Sequence, residues 1–138
     1  MSVTLGHTIV STRDKVATAS FLTEVLDLPP HKIMKHFAVV EVGETTLDFV
    51  DSDGDVASRH FAFLVSESEF DRIFDRLLER KLSYWADPAL KKANKINRWD
   101  DGRGVYFDDP NGHLLEVITR PYGSGGSDAI YPHPLLSS

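Results

Sequence analysis

Gly104-Val-Tyr-Phe-Asp-Asp-Pro-Asn-Gly-His-Leu-Leu-Glu-Val-Ile118 sets the pattern from which the rest of the chain is read. Its centre, Asp108-Asp109-Pro110-Asn111-Gly112, is turn chemistry. Pro presets φ, Asp and Asn bond the local backbone, and Gly tolerates positive φ. Apolar and aromatic residues flank that centre, so the stretch predicts two strands, Gly104–Phe107 and Leu114–Arg120, joined by a turn. Alternation along the second puts Leu114, Glu116 and Ile118 on one face, and a carboxylate stands in an apolar row.

Upstream, Leu82–Trp85 reads as a further strand. Glu67–Lys81 has Phe70, Ile73, Phe74, Leu77 and Leu78 at helical spacing, with Ser66 or Ser68 available as cap. Arg59–Val65 is strand-like. Strand, helix and three strands thus make a βαβββ module over about 58–122. The polar break Asp51–Ser58 precedes it, and before that break the order recurs. Leu5–Ser11 is strand-like. Asp14–Leu28 carries Val16, Ala19, Phe21, Leu22, Val25 and Leu26 as a helical stripe, opened by a capping Asp and closed by Pro29-Pro30. His31–Val42 and Thr45–Val50, around Gly43-Glu44, read as strands, so about 4–50 is a second βαβββ module. Aligning the two on their first histidines brings His7 onto His60, Phe21 onto Phe74 and Asp48 near the position of Glu116. The expected class is α+β, with two βαβββ modules forming a curved mixed sheet in a single domain, 1–122. Gly123–Ser138 is Gly/Ser-rich and then Pro-rich, and is expected to be a flexible tail.

At 138 residues one domain with a sizeable core is the natural outcome. Fifteen Lys and Arg against twenty-one Asp and Glu give a net charge of −6, which disfavours nucleic acid and anionic membrane as partners. No apolar run approaches the roughly 18 residues of a spanning helix, and Met1–Lys15 lacks a leader pattern, so a cytoplasmic protein is expected. The absence of cysteine removes disulfides, zinc-thiolate sites and thiol nucleophiles together. Any metal is left to His, Asp, Glu or carbonyl oxygen.

Strand alternation also places His7 with Leu5 and Ile9, and His60 with Ala62 and Leu64. Apolar rows holding one polar group are either core, with each histidine hydrogen-bonded inside it, or the lining of a pocket on which few polar groups converge. Two His and one carboxylate form the donor set of a facial metal site with open positions. Asp48 has two readings, a fourth ligand or a group that orients a ligand histidine, and its short side chain favours the second.

The segments Leu5-Gly-His-Thr-Ile-Val10, Arg59-His-Phe-Ala-Phe-Leu-Val65 and Val105-Tyr-Phe-Asp-Asp-Pro-Asn-Gly-His-Leu-Leu-Glu-Val-Ile118 resemble the vicinal oxygen chelate superfamily. That superfamily includes glyoxalase I, extradiol dioxygenases, fosfomycin-resistance and bleomycin-resistance proteins. The resemblance spans residues 4 to 122 and implies a divalent ion held by His7, His60 and Glu116. A narrower resemblance, carried by His7-Thr-Ile-Val, Arg13-Asp-Lys, Thr46-Leu-Asp-Phe, Asp101-Gly-Arg-Gly-Val-Tyr-Phe and Thr119-Arg-Pro-Tyr, is to the oxygenase subgroup of chartreusin biosynthesis. It implies Fe(II), with Mn, Ni or Zn as other candidates, and dioxygen as co-substrate.

The expectation is therefore an Fe(II)-dependent oxygenase of phenolic, catecholic or quinone-like aromatic substrates in aromatic polyketide biosynthesis or related metabolism. A glyoxalase-type lyase or isomerase and an antibiotic-binding resistance protein without catalysis are the rivals. Tyr106 is expected as hydrogen-bond donor or acid/base near the metal, with a packed core tyrosine as its other reading. His36 is a proton-shuttle candidate, or else an exposed or packed histidine, and His113 reads as structural. The long connection Asp87–Gly104 carries Lys91, Lys92, Lys95, Arg98, Trp99 and Arg103, and is either a substrate-covering lid or a solvated basic loop. Arg98 and Trp99, with Ile9 and Ala62, are the expected substrate contacts. Small members of the superfamily pair as homodimers, and a homodimer is expected here.

Overall fold

The computed structural model describes residues 2–136. Two compact units appear, Met1–Ser58 with Asp109–His113, and Arg59–Asp108 with Leu114–Ser138. Each contains one helix and a four-stranded mixed sheet, which makes the protein α+β.

The first unit runs β1 (His7–Thr12), α1 (Lys15–Leu26), β2 (Lys32–Met34), β3 (Phe37–Val42) and β4 (Thr45–Asp51). Asp14 caps α1 by accepting the Ala17 N–H at 3.0 Å. The helix ends at Asp27, whose φ of 54° is left-handed, so it stops before Pro29-Pro30 is reached. The sheet order is β1-β4-β3-β2, with β1 and β4 parallel and the other pairs antiparallel. Val10, Ala38, Val40, Leu47 and Phe49 on the strands and Ala19, Leu22 and Val25 on α1 form the buried core. Fully burying each large side chain among them is worth about 1.5–3 kcal/mol. The opposite face is left with His7, Ile9 and Asp48.

His31–Val42 is not one strand. Lys35 takes a φ of 54° and, with His36, forms a turn that folds β2 back on β3. Two polar residues make this turn without Gly or Pro, and so left no mark in the pattern. The turn Asp109–His113 is internally braced, Asp109 Oδ1 accepting the N–H groups of Asn111 and His113 at 2.8 and 2.9 Å. His113 is buried and its Nε2 donates to the Ser11 carbonyl at 2.8 Å, a structural role.

The second unit repeats the pattern. It runs β5 (His60–Leu64), α2 (Glu67–Glu79), β6 (Tyr84–Trp85), β7 (Gly104–Asp108) and β8 (Leu114–Ile118), in the sheet order β5-β8-β7-β6. Ser66 opens α2 with a full capping box, its Oγ accepting the Glu69 N–H at 3.2 Å while Glu69 Oε1 accepts the Ser66 N–H at 2.8 Å. Phe63, Phe70, Ile73, Leu77, Val105, Phe107, Leu115 and Val117 are the core. Arg103 lies over the Phe70 ring at 4.4 Å and pairs with Glu67 and Asp71 at 2.7 and 2.8 Å.

Residues 123–136, expected to build no element, are tied back onto the loop before β7 and end in a short 3-10 turn, Pro134–Leu136. Asp100 accepts the N–H groups of Gly123 and Gly125, and Asp101 those of Ile130 and Tyr131, at 2.8–3.1 Å. The glycines that resemble a linker have positions to fill. Gly123 and Gly126 have φ of 75° and 63°, and a Cβ at Gly125 would stand 2.9 Å from the Asp100 Cα.

A candidate metal centre

His7 lies at the start of an edge strand, and its Nδ1 is 2.9 Å from Asp48 Oδ2 on the neighbouring β4. The other carboxylate oxygen of Asp48 accepts the Thr46 hydroxyl at 2.8 Å. With Nδ1–H given to Asp48, the Nε2 lone pair of His7 is free to bind a cation. That geometry is what an orienting carboxylate requires.

His60 is held by a different device. Its Nδ1 stands 3.0 Å from the Leu114 carbonyl, its register partner on β8. A carbonyl only accepts, so Nδ1 carries the proton. The other nitrogen, Nε2, lies 3.0 Å from Glu116 Oε1. In the neutral ring that nitrogen has a lone pair, and a lone pair facing a carboxylate repels unless a proton or a metal cation lies between. A proton on Nε2 would make the contact an ion pair, and an imidazole nitrogen beside a carboxylate is also a donor combination that suits a divalent ion. Glu116 is almost wholly buried, at 2% exposure, and a carboxylate so placed needs compensation.

Tyr106 supplies part of it. It faces Glu116 across β7 and β8, hydrogen-bonds to it, and lies against the His60 ring at 5.9 Å between centroids. Burial, then the Glu116 charge and the hydrogen bond to it, push the Tyr106 hydroxyl far above its ordinary value of 10.0, so it stays protonated and donates. Next to it stands Trp99, edge-on to Tyr106 at 6.1 Å and to His133 at 5.0 Å.

The sequence readings fall out as two pairs, His7 with Asp48 and His60 with Glu116, the second joined by Tyr106. Among the described residues no group of three or more His, Cys, Asp or Glu lies close enough to hold a metal ion. The apolar rows are not core, since Ile9 and Leu64 are 57% and 59% exposed and Ala62 is exposed too. His36 is exposed in the β2–β3 turn, its ring against Phe37 at 4.3 Å. Arg98 is exposed and Trp99 half-buried. Pattern reading missed His133, which is buried between Trp99 and Tyr122, with Nδ1 accepting the Leu135 N–H and Nε2 without a partner among the described residues. The clue available was the cluster Tyr131-Pro132-His133 in a stretch otherwise poor in large side chains.

Residues 4–117 match the Glyoxalase/Bleomycin resistance protein/Dioxygenase superfamily, and the chain belongs to it. Within that class it is similar to two solved oxidases. ChaP-H2 is 51% identical with a TM-score of 0.87, covering 91% of this chain and 100% of that one, and ChaP-H1 is 50% identical with a TM-score of 0.86, covering 88% and 99%. These matches bear out the resemblance to the chartreusin-biosynthesis subgroup. Among curated relatives, the metallothiol transferase FosB of Shouchella clausii (strain KSM-K16) is 40% identical over 60 residues, 44% of this chain and 37% of its own length. The glutathione transferase FosA of Serratia marcescens is 27% identical over 124 residues, covering 85% and 81%. The match to FosB of Lysinibacillus sphaericus (strain C3-41) spans 46% of that protein, so the chain spans less than half of the two FosB relatives. No helix among the described residues is long and apolar enough to cross a membrane.

Proposed function

We propose that the protein is a metal-dependent oxygenase of phenolic, catecholic or quinone-like aromatic substrates, with His7, His60 and Glu116 holding the metal. The observation that carries this reading is the His60 ring, whose Nδ1–H is spent on Leu114 so that Nε2 meets Glu116 across a 3.0 Å gap. Fe(II) held by these residues would supply Lewis acidity and redox capacity toward dioxygen. Asp48 keeps the His7 ring turned so that Nε2 is the free nitrogen. Glu116 contributes the negative charge that holds a cation, and Tyr106 keeps its proton for donation to an oxygen brought beside it. Ile9 and Ala62 offer apolar contact to a ring, and Trp99 an aromatic face. The likeness to the ChaP oxidases supports oxygenase chemistry over the rival activities.

Protein purified without oxygen and loaded with Fe(II) tests the reading, through oxygen uptake with catechols and hydroxynaphthoquinones. Uptake that requires both metal and substrate is expected. Turnover of a hemithioacetal under nitrogen with no oxygen uptake would replace the reading with a lyase. Transfer of glutathione or another thiol to fosfomycin would replace it with a transferase, the class named for FosA and FosB.

A further inference from the structure

The second unit contains an open cavity of about 730 Å³ that the His60–Glu116 pair does not line. Lys91, Lys92, Lys95 and Arg98 line it together with the aromatic rings of Trp99 and Tyr131, and no acidic residue lines it. Acids do stand at the two ends of the loop, but their oxygens are taken up by backbone. Asp87 accepts the N–H groups of Lys91 and Lys92 at 2.7–3.1 Å, and Asp101 those of Ile130 and Tyr131. Four cations line one cavity on a chain of net charge −6, and like charges lining one concavity reinforce each other's field there. Two aromatic faces beside them suit a flat ring.

We propose that this cavity binds the acidic end of a planar aromatic ligand, a ring-borne carboxylate, and that Tyr131 of the C-terminal segment is part of the binding wall. Trp99 gives the cavity its link to the metal-binding pair, because the indole that lines it also packs on Tyr106, and Tyr106 lies against His60. A ring anchored by its carboxylate at the lysines passes along Trp99 toward those residues. The inference rests on the aromatic-substrate reading for the nature of the ring, and on the cavity alone for its charge.

The test uses full-length protein with its metal removed by chelator, so that it does not depend on the metal. Calorimetry compares 1-hydroxy-2-naphthoate with its methyl ester. The acid is expected to bind about tenfold or more tightly than the ester, the sum of several exposed charge contacts. Lys95→Gln combined with Arg98→Gln, checked for native circular dichroism, removes most of that preference. Raising ionic strength from about 0.01 to about 1 M, which shortens the Debye length from about 30 to about 3 Å, removes it as well. Tyr131→Ala weakens the binding of both probes. Equal binding of acid and ester, or a preference that survives in the double variant, overturns the proposal. If the preference holds while metal-loaded protein consumes no oxygen with any aromatic tried, the oxygenase reading fails and the cavity assignment stands.

Discussion

Asp48 and Glu116 occupy related strands of the two modules and meet a histidine in opposite ways. Asp48 meets Nδ1 of His7, whereas Glu116 meets Nε2 of His60, whose Nδ1 is bonded to the Leu114 carbonyl. On the proposed function, the first contact orients a ring and the second lies where a cation would be held. Asp48→Asn should therefore lower divalent-metal affinity by about 10- to 100-fold, with the fold unchanged, whereas His60→Ala should abolish tight binding altogether. Metal titration by calorimetry distinguishes them, and an Asp48→Asn loss as complete as that of His60→Ala would make Asp48 a ligand. Period-two alternation draws attention to His7, His60 and Glu116, because one polar group in an apolar row is conspicuous, and the structure sets each histidine beside a carboxylate. Which nitrogen of each ring is free was not legible in the sequence, since that depends on a carbonyl and a carboxylate brought in from neighbouring strands.

Among the elements, α2 shows how local chemistry reports on pH. The Glu69 carboxyl is held below its ordinary value of 4.5 by the Ser66 N–H and then by the Ser66 hydroxyl. Glu67 is held low by the Thr119 hydroxyl and then, against burial, by Arg103. A lowered folded-state value means that the contribution is full above about the ordinary Glu value and fades as pH falls below it. Ser66→Ala should cost about 1 kcal/mol at neutral pH, and the gap from the parent protein should narrow in urea unfolding below the ordinary Glu value. A gap that stays constant into acid would count against the box. Helices and most strands were readable because their period is long enough to repeat within the element. The β2–β3 turn was not, because Lys35 adopts positive φ without a residue that favours it. The Gly-rich run after Pro121 was misleading for the opposite reason, its glycines being set by close approach and left-handed backbone rather than by freedom. Gly125→Ala, pressed against the Asp100 backbone, should destabilise the protein by about 1–3 kcal/mol, and a melting temperature equal to the parent's would refute the packing role.

For the molecule as a whole, the donors come in pairs and no three gather among the described residues. Exposed apolar side chains at Leu5, Ile9 and Leu64 share strand rows with His7 and His60 and invite burial by a second copy. On the proposed function, the metal set is expected to be completed between two copies. His7→Ala and His60→Ala chains, each unable to bind metal tightly, should then recover binding when unfolded and refolded together. Recovery is absent if each set belongs to a single chain. The C-terminal segment carries a further consequence. Asp100 and Asp101 hold φ of 60° and 58°, a conformation costing about 1–2 kcal/mol per residue. It is secured by amides that lie 23 to 30 residues later. During synthesis those amides emerge 23 to 30 residues after the loop, so the loop bearing Trp99 cannot settle when its own residues leave the ribosome. The nascent chain must lengthen by that much before this corner can close.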